Sequence, residues 1–273
     1  MFRCGSLPWF QGKPPTSEDS RSRSFPIHLT IVLVLLIVFI ATVIRSAFGF
    51  GEALVAVPLL ALLIPMQVAA PLAVLVSITI AAVVVVQDWR HIHLRSAGWL
   101  VLSTVFGIPF GLFLLVRTPE HLMKALLGGL ILTFALFSLS GGMRFRLQHE
   151  SRRWMLGCGF IAGVLGGAYG MNGPPLVIYG ALRNWTAQHF RATLQAYFLP
   201  ASLLGMVGYL SAGMWTPVVT RDFLLCLPVM LPAVVLGRYI NHRISAASFA
   251  RYIYLGLAGI GVVLLLQSLV RLG

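Results

Sequence analysis

Apolar residues occupy long blocks of this chain, and the polar residues gather in short intervals between them. Ten blocks can be drawn, at about 27–47, 52–64, 68–87, 97–116, 121–141, 154–169, 174–183, 190–211, 221–241 and 248–270. A helix that crosses the hydrocarbon of a bilayer needs about 20 predominantly apolar residues. Eight blocks reach or approach that length, and 52–64 and 174–183 do not. The expected fold is all-α and polytopic, with eight to ten transmembrane or re-entrant helices.

Each short block stands just after a glycine cluster. Non-helical backbone at membrane depth persists only where protein or a water-filled cavity satisfies its polar groups, so these two breaks carry the most information. They also correspond. Phe48-Gly49-Phe50-Gly51-Glu52 through Pro58 lines up with Tyr169-Gly170-Met171-Asn172-Gly173 through Tyr179, 121 residues later. Gly111 through Arg117 likewise matches Gly237 through Arg243. A start signal follows each stretch: Thr118 as a cap with Pro119 at the first helical position and Glu120 in the first turn, then Ser245 as the later cap. The chain therefore divides into a polar leader (1–26), a first membrane repeat (27–141), a basic linker (142–153) and a second membrane repeat (154–273). Arg21 and Arg23 before an apolar run also fit a signal peptide, but the run from Ile27 to Ile44 is long for one, and an uncleaved first span is expected.

Orientation stays open at this level. If the short blocks do not cross, the halves are parallel, with eight spans and both ends cytoplasmic. If they cross, the halves are inverted, with ten spans and both ends outside. The basic linker is cytoplasmic in either case.

Composition agrees with lipid as the solvent. Of the 273 residues, 58% are hydrophobic and 10% charged, and the mean hydropathy is +0.90. A soluble globule carries charge on roughly a quarter of its positions. The net charge of +13 sits mostly in short segments between apolar blocks, as in Arg144, Arg146, Arg152 and Arg153, which argues for loops at a membrane and against nucleic acid. Three cysteines, Cys4, Cys158 and Cys226, make neither a disulfide framework nor a zinc motif. His91 and His93 lack a third ligand, so neither a metal nor a cofactor is expected. No phosphate-binding loop, HExxH or GxSxG motif is present, so transport would draw on an ion gradient or run downhill.

Short or Gly/Pro-interrupted apolar segments at corresponding places in two halves point to a transporter's substrate site. Free N–H groups at a half-helix N-terminus carry partial positive charge and receive anions. The candidate substrate-binding residues are Gly49, Gly51, Gly166, Gly167, Gly170, Asn172, Gly173, Pro174 and Pro175. The competing reading is that these glycines only let helices pack closely. Glu52 is the one acidic residue inside an apolar block, and an intramembrane carboxylate is a functional candidate by default. It is a candidate for proton coupling, a partner for Arg45, or a cap on the short helix. Arg45 either faces the site or snorkels to the interface, with the second reading preferred.

The stretch Gly163-Val164-Leu165-Gly166-Gly167-Ala168-Tyr169-Gly170-Met171-Asn172-Gly173-Pro174-Pro175, running on to Tyr179, resembles the second-repeat signature of the TauE/SafE sulfite exporter family. Phe190-Arg191-Ala192-Thr193 follows at the spacing seen there. Phe48-Gly49-Phe50-Gly51 leading into Ala56-Val57-Pro58 is similar to that family's amino-terminal signature. The resemblance implies an inner-membrane, two-repeat permease for sulfite or a sulfonate. The sequence leaves the oligomeric state open, a homo-oligomer included. Glu52 departs from the pattern, since the family usually has a glycine or small residue there. The alternatives are an intramembrane enzyme, which would form product in detergent, and a non-transporting assembly protein, which would co-purify with a partner.

Overall fold

The computed structural model describes residues 27–88, 94–140, 152–183, 187–243 and 246–270. They form ten α-helices: α1 (Ile27–Phe48), α2 (Glu52–Leu63), α3 (Met66–Asp88), α4 (Leu94–Arg117), α5 (Glu120–Leu139), α6 (Arg152–Tyr169), α7 (Gly173–Leu182), α8 (Ala187–Ser211), α9 (Pro217–Arg243) and α10 (Ala246–Val270). Every apolar block forms a helix. The leader, most of the basic linker, His91, His93 and Ser245 lie outside the described residues. One boundary differs from expectation: α5 starts at Glu120, because Pro119 takes an extended backbone (φ −57°, ψ 146°) and caps the helix through its carbonyl. Thr118 therefore lies one position further out, and no side-chain oxygen caps the end.

The chain is polytopic. Five helices are long and apolar enough to cross a membrane by length and composition, among them α3, α4 and α9. Their outward faces are apolar: Phe106, Phe110 and Phe113 on α4 are each 64% exposed, and Leu231 on α9 is 70% exposed. A soluble protein would cover such a patch, whereas hydrocarbon tails cover it here. Lipid is as apolar as leucine, so helix association rests on close packing of small residues instead of on apolar burial.

Both short helices fold back on their predecessors. Ala56 and Leu60 of α2 join Val34, Val38 and Ala41 of α1 in one apolar cluster, and Ile64 and Pro65 come beside Thr30 and Ile31. Leu176 and Tyr179 of α7 join Met155 and Ala162 of α6 in the same manner. Each pair is a helical hairpin, with its tip at a glycine break.

The packing directions decide the relative sense of the two runs α1–α5 and α6–α10. Along α4 and α6, Gly159 meets Leu100, Gly163 meets Thr104 and Gly167 meets Ile108, so these helices run parallel. Along α5 and α10, Ser268 donates to the His121 carbonyl and Gly128 meets Gly261, so these run antiparallel. α5 and α10 hold the same place in their respective runs, hence the two runs point in opposite senses. That is the inverted arrangement, not the parallel one.

The contacts repeat between the runs. Gly111 on α4 lies against the Val164 carbonyl of α6, and Gly237 on α9 lies against the Val43 carbonyl of α1. Val43 and Val164 are themselves 121 positions apart. At both places an added Cβ would collide with backbone, so glycine sets the interhelical distance.

Candidate functional site

Both helix breaks close with the same device. Gly49 (φ 81°) and Gly170 (φ 67°) adopt the left-handed conformation that glycine enters without steric cost. Their N–H groups bond the carbonyls of Arg45 and Gly166, four residues back, the arrangement that ends a helix in a left-handed residue. Gly51 (φ 96°) then turns the first chain into α2.

The two tips meet around one small cavity of about 20 Å³, enough for a water-sized group. Its wall includes Arg45, Phe50, Gly51, Glu52 and Ala53 from the first hairpin and Gly170, Asn172, Gly173 and Pro174 from the second. Ser77 on α3, Phe198 and Ser202 on α8, and Leu54, Met171 and Val177 of the hairpins complete it. Ser77 is the midpoint of the 23-residue α3, so the tips reach about half the length of a spanning helix.

Arg45 and Glu52 are both buried, at 3% and 0% exposure. Arg45 Nη1 donates to Glu52 Oε2 at 2.7 Å and to Ser77 Oγ at 3.0 Å, and its guanidinium lies 4.8 Å from the centre of the Phe198 ring. The preferred snorkelling reading of Arg45 is therefore overturned: the break carries the end of α1 inward, where the side chain has no route to an interface. The capping reading of Glu52 is set aside as well. One carboxylate oxygen takes Arg45, and the other, Oε1, has no hydrogen-bond partner among the described residues.

Asn172 is 7% exposed, and its Oδ1 likewise lacks a hydrogen-bond partner among the described residues. Its amide rests on the Cα of Gly166, where any side chain would overlap it. The Gly166 carbonyl accepts the Tyr209 hydroxyl at 2.8 Å, which ties the second tip to α8. Tyr169 donates to the Met123 carbonyl at 3.1 Å and ties it to α5.

Of the nine candidate substrate residues, Gly51, Gly170, Asn172, Gly173 and Pro174 line the cavity, and Gly49, Gly166, Gly167 and Pro175 do not. Gly49 shapes the turn, Gly166 seats Asn172, and Gly167 packs on Ile108 and Gly111 of α4. The packing reading thus holds for Gly167. The two prolines also limit what α7 can donate: among its first three residues only Gly173 has an N–H. The first turn of α2 keeps all of its own. Sequence reasoning does not find Ser77, Phe198 and Ser202. The two serines carry a usable signal, as hydroxyls midway along apolar blocks.

Among the described residues no group of three or more His, Cys, Asp or Glu side chains is placed to hold a metal. Helix breaks brought tip to tip around a buried ion pair, within a bundle of apolar-faced helices, mark a multi-pass α-helical membrane protein. The family model described as "Sulfite exporter TauE/SafE" matches residues 34–264, and the chain belongs to that family, as the signature stretches implied. At the level of class it is a membrane transporter. It is 27% identical over 188 residues to the "Probable sulfite/organosulfonate exporter TauE" of Cupriavidus necator, covering 67% of this chain and 70% of that one. No solved structure matches it.

Proposed function

We propose that the chain is a secondary permease of the cell inner membrane that moves a small sulfur-containing anion, sulfite or a sulfonate, between the two hairpin tips. The observation that carries this reading is the convergence of both tips on Arg45 halfway along α3. A buried cation beside helix N-termini suits an oxyanion, because guanidinium N–H groups bond two oxygens at once. The matching element order and the Val43/Val164 contacts support reading the runs as two inverted repeats, the plan by which many permeases alternate access around a fixed midplane site. A cavity of about 20 Å³ is tight for a four-atom anion, so the tips must part to admit one. The name carried by the Cupriavidus necator relative favours sulfur anions over other small anions.

Binding is the first test. A ligand that binds only the folded protein stabilises it by mass action, by about 2.7 kcal/mol at 100 times Kd, and raises its unfolding temperature. Sulfite and short alkanesulfonates should stabilise the detergent-purified protein, while amino acids and sugars should not. Stabilisation by another solute class, with sulfur anions silent, would remove the cargo and leave the permease.

A further inference from the structure

We propose that the transported anion takes the place of Glu52 on Arg45, so that each anion travels with one proton. The proposal rests on the permease reading above and adds its coupling. Among the cavity-lining residues there is one cation and one anion, Arg45 and Glu52. Shifted by 121 positions, Arg45, Glu52 and Ser77 fall on Gly166, Gly173 and Phe198, so the second run supplies no charge at the matching positions. Among the described residues Arg45 is then the one guanidinium lining this cavity, and Glu52 already occupies it at 2.7 Å.

Charge balance sets the stoichiometry. The paired site is neutral, and a monovalent oxyanion would leave it at minus one inside a closed, apolar wall. Protonation of Glu52 restores neutrality, because the carboxylate takes one proton from solution as the anion enters and returns it on release. The geometry allows the exchange. Glu52 holds Arg45 by one oxygen alone, and Oε1 has no hydrogen-bond partner among the described residues. The donor it vacates, Arg45 Nη1, also reaches the Ser77 hydroxyl and shares the cavity wall with Asn172. Among the described residues the other helices packed on α2 bring no competing charge to the cavity: Glu120, His121 and Lys124 on α5 and Arg251 and Tyr254 on α10 are absent from its wall. A carboxylate in an anion site thus acts as the resident anion, displaced by the cargo.

The test is proton uptake by the full-length protein in weakly buffered detergent, titrated with methanesulfonate, whose own charge does not change near neutrality. About one proton should be taken up per anion bound, and the affinity should fall about tenfold per pH unit above the titration of Glu52. Glu52→Gln should bind with no uptake and a flat pH profile. Should that variant fold poorly, the wild-type stoichiometry still decides the matter. The double variant Arg45→Gln/Glu52→Gln, neutral again, should fold and bind no anion. Binding without uptake in the wild type, or uptake that persists in Glu52→Gln, overturns the coupling and leaves the permease. Failure of both methanesulfonate and sulfite to bind overturns the sulfur-anion cargo, and with it the coupling that rests on it, and leaves the permease.

Discussion

Arg45 and Glu52 stand seven residues apart on two different helices, and the left-handed turn between them closes their side chains to 2.7 Å. The pair straddles the break, so the contact that neutralises the buried charges also holds α2 against α1. A buried ion pair adds little net stability by itself, since desolvation offsets much of the attraction, but removing one partner strands the other. Arg45→Ala should therefore cost about 3–5 kcal/mol, and Arg45→Gln/Glu52→Gln should recover most of it. Thermal unfolding of the single and double variants in detergent checks this. Additive losses would mean that the two side chains do not interact.

The glycines fall into two groups that alanine scanning should separate. Gly107, Gly111 and Gly163 hold α4 and α6 at backbone contact, so alanine at any of them should abolish folded yield. At Gly129 and Gly157 an added methyl would have no neighbour within 4 Å. Alanine there should be neutral or stabilising by up to about 1 kcal/mol, as helix propensity dictates. Monodispersity on size exclusion is the readout.

Within the second tip, Gly170 and Gly173 should behave differently. Alanine at Gly170 meets a positive φ and the Ala70 carbonyl at 2.8 Å, and folding should suffer. Alanine at Gly173 meets only the edge of Phe198 at 3.9 Å. Gly173→Ala should retain wild-type thermal stability while its methyl narrows the cavity and slows transport. Equal stability losses in both variants would contradict this division.

Asn172→Ala removes an amide whose oxygen has no hydrogen-bond partner among the described residues. Stability should change little, whereas loss of one hydrogen bond to a charged ligand should weaken binding by roughly tenfold or more. Titration calorimetry with methanesulfonate reads the affinity.

The antiparallel packing of α5 and α10 places the start of α1 and the end of α10 on one side of the membrane and the junction between the two runs on the other. Topology reporters fused at the C-terminus and inserted in the 142–153 linker should give opposite signals, with the basic linker cytoplasmic. Matching signals would refute the inverted arrangement.

The helices are legible in the sequence because apolar blocks and polar intervals alternate at bilayer length, and both breaks are legible because glycine and proline interrupt them. The fold-back of α2 and α7 is not, since a short apolar block reads alike whether it crosses or returns. Gly167 reads as a site residue because a packing glycine and a lining glycine have the same composition signal. Arg45 reads as an interface residue because its sequence position near a helix end carries no depth. Phe198 has no sequence mark at all: it enters the cavity through the packing of α8 on α3.

The path between the hairpin tips is tested by flux of a labelled alkanesulfonate in proteoliposomes. The variant to use has its three cysteines replaced by alanine and Ser202, in the cavity wall, replaced by cysteine. Ser202→Cys should transport, N-ethylmaleimide should stop it, and excess sulfonate should slow the labelling. Undiminished flux after complete labelling would contradict a path between the tips.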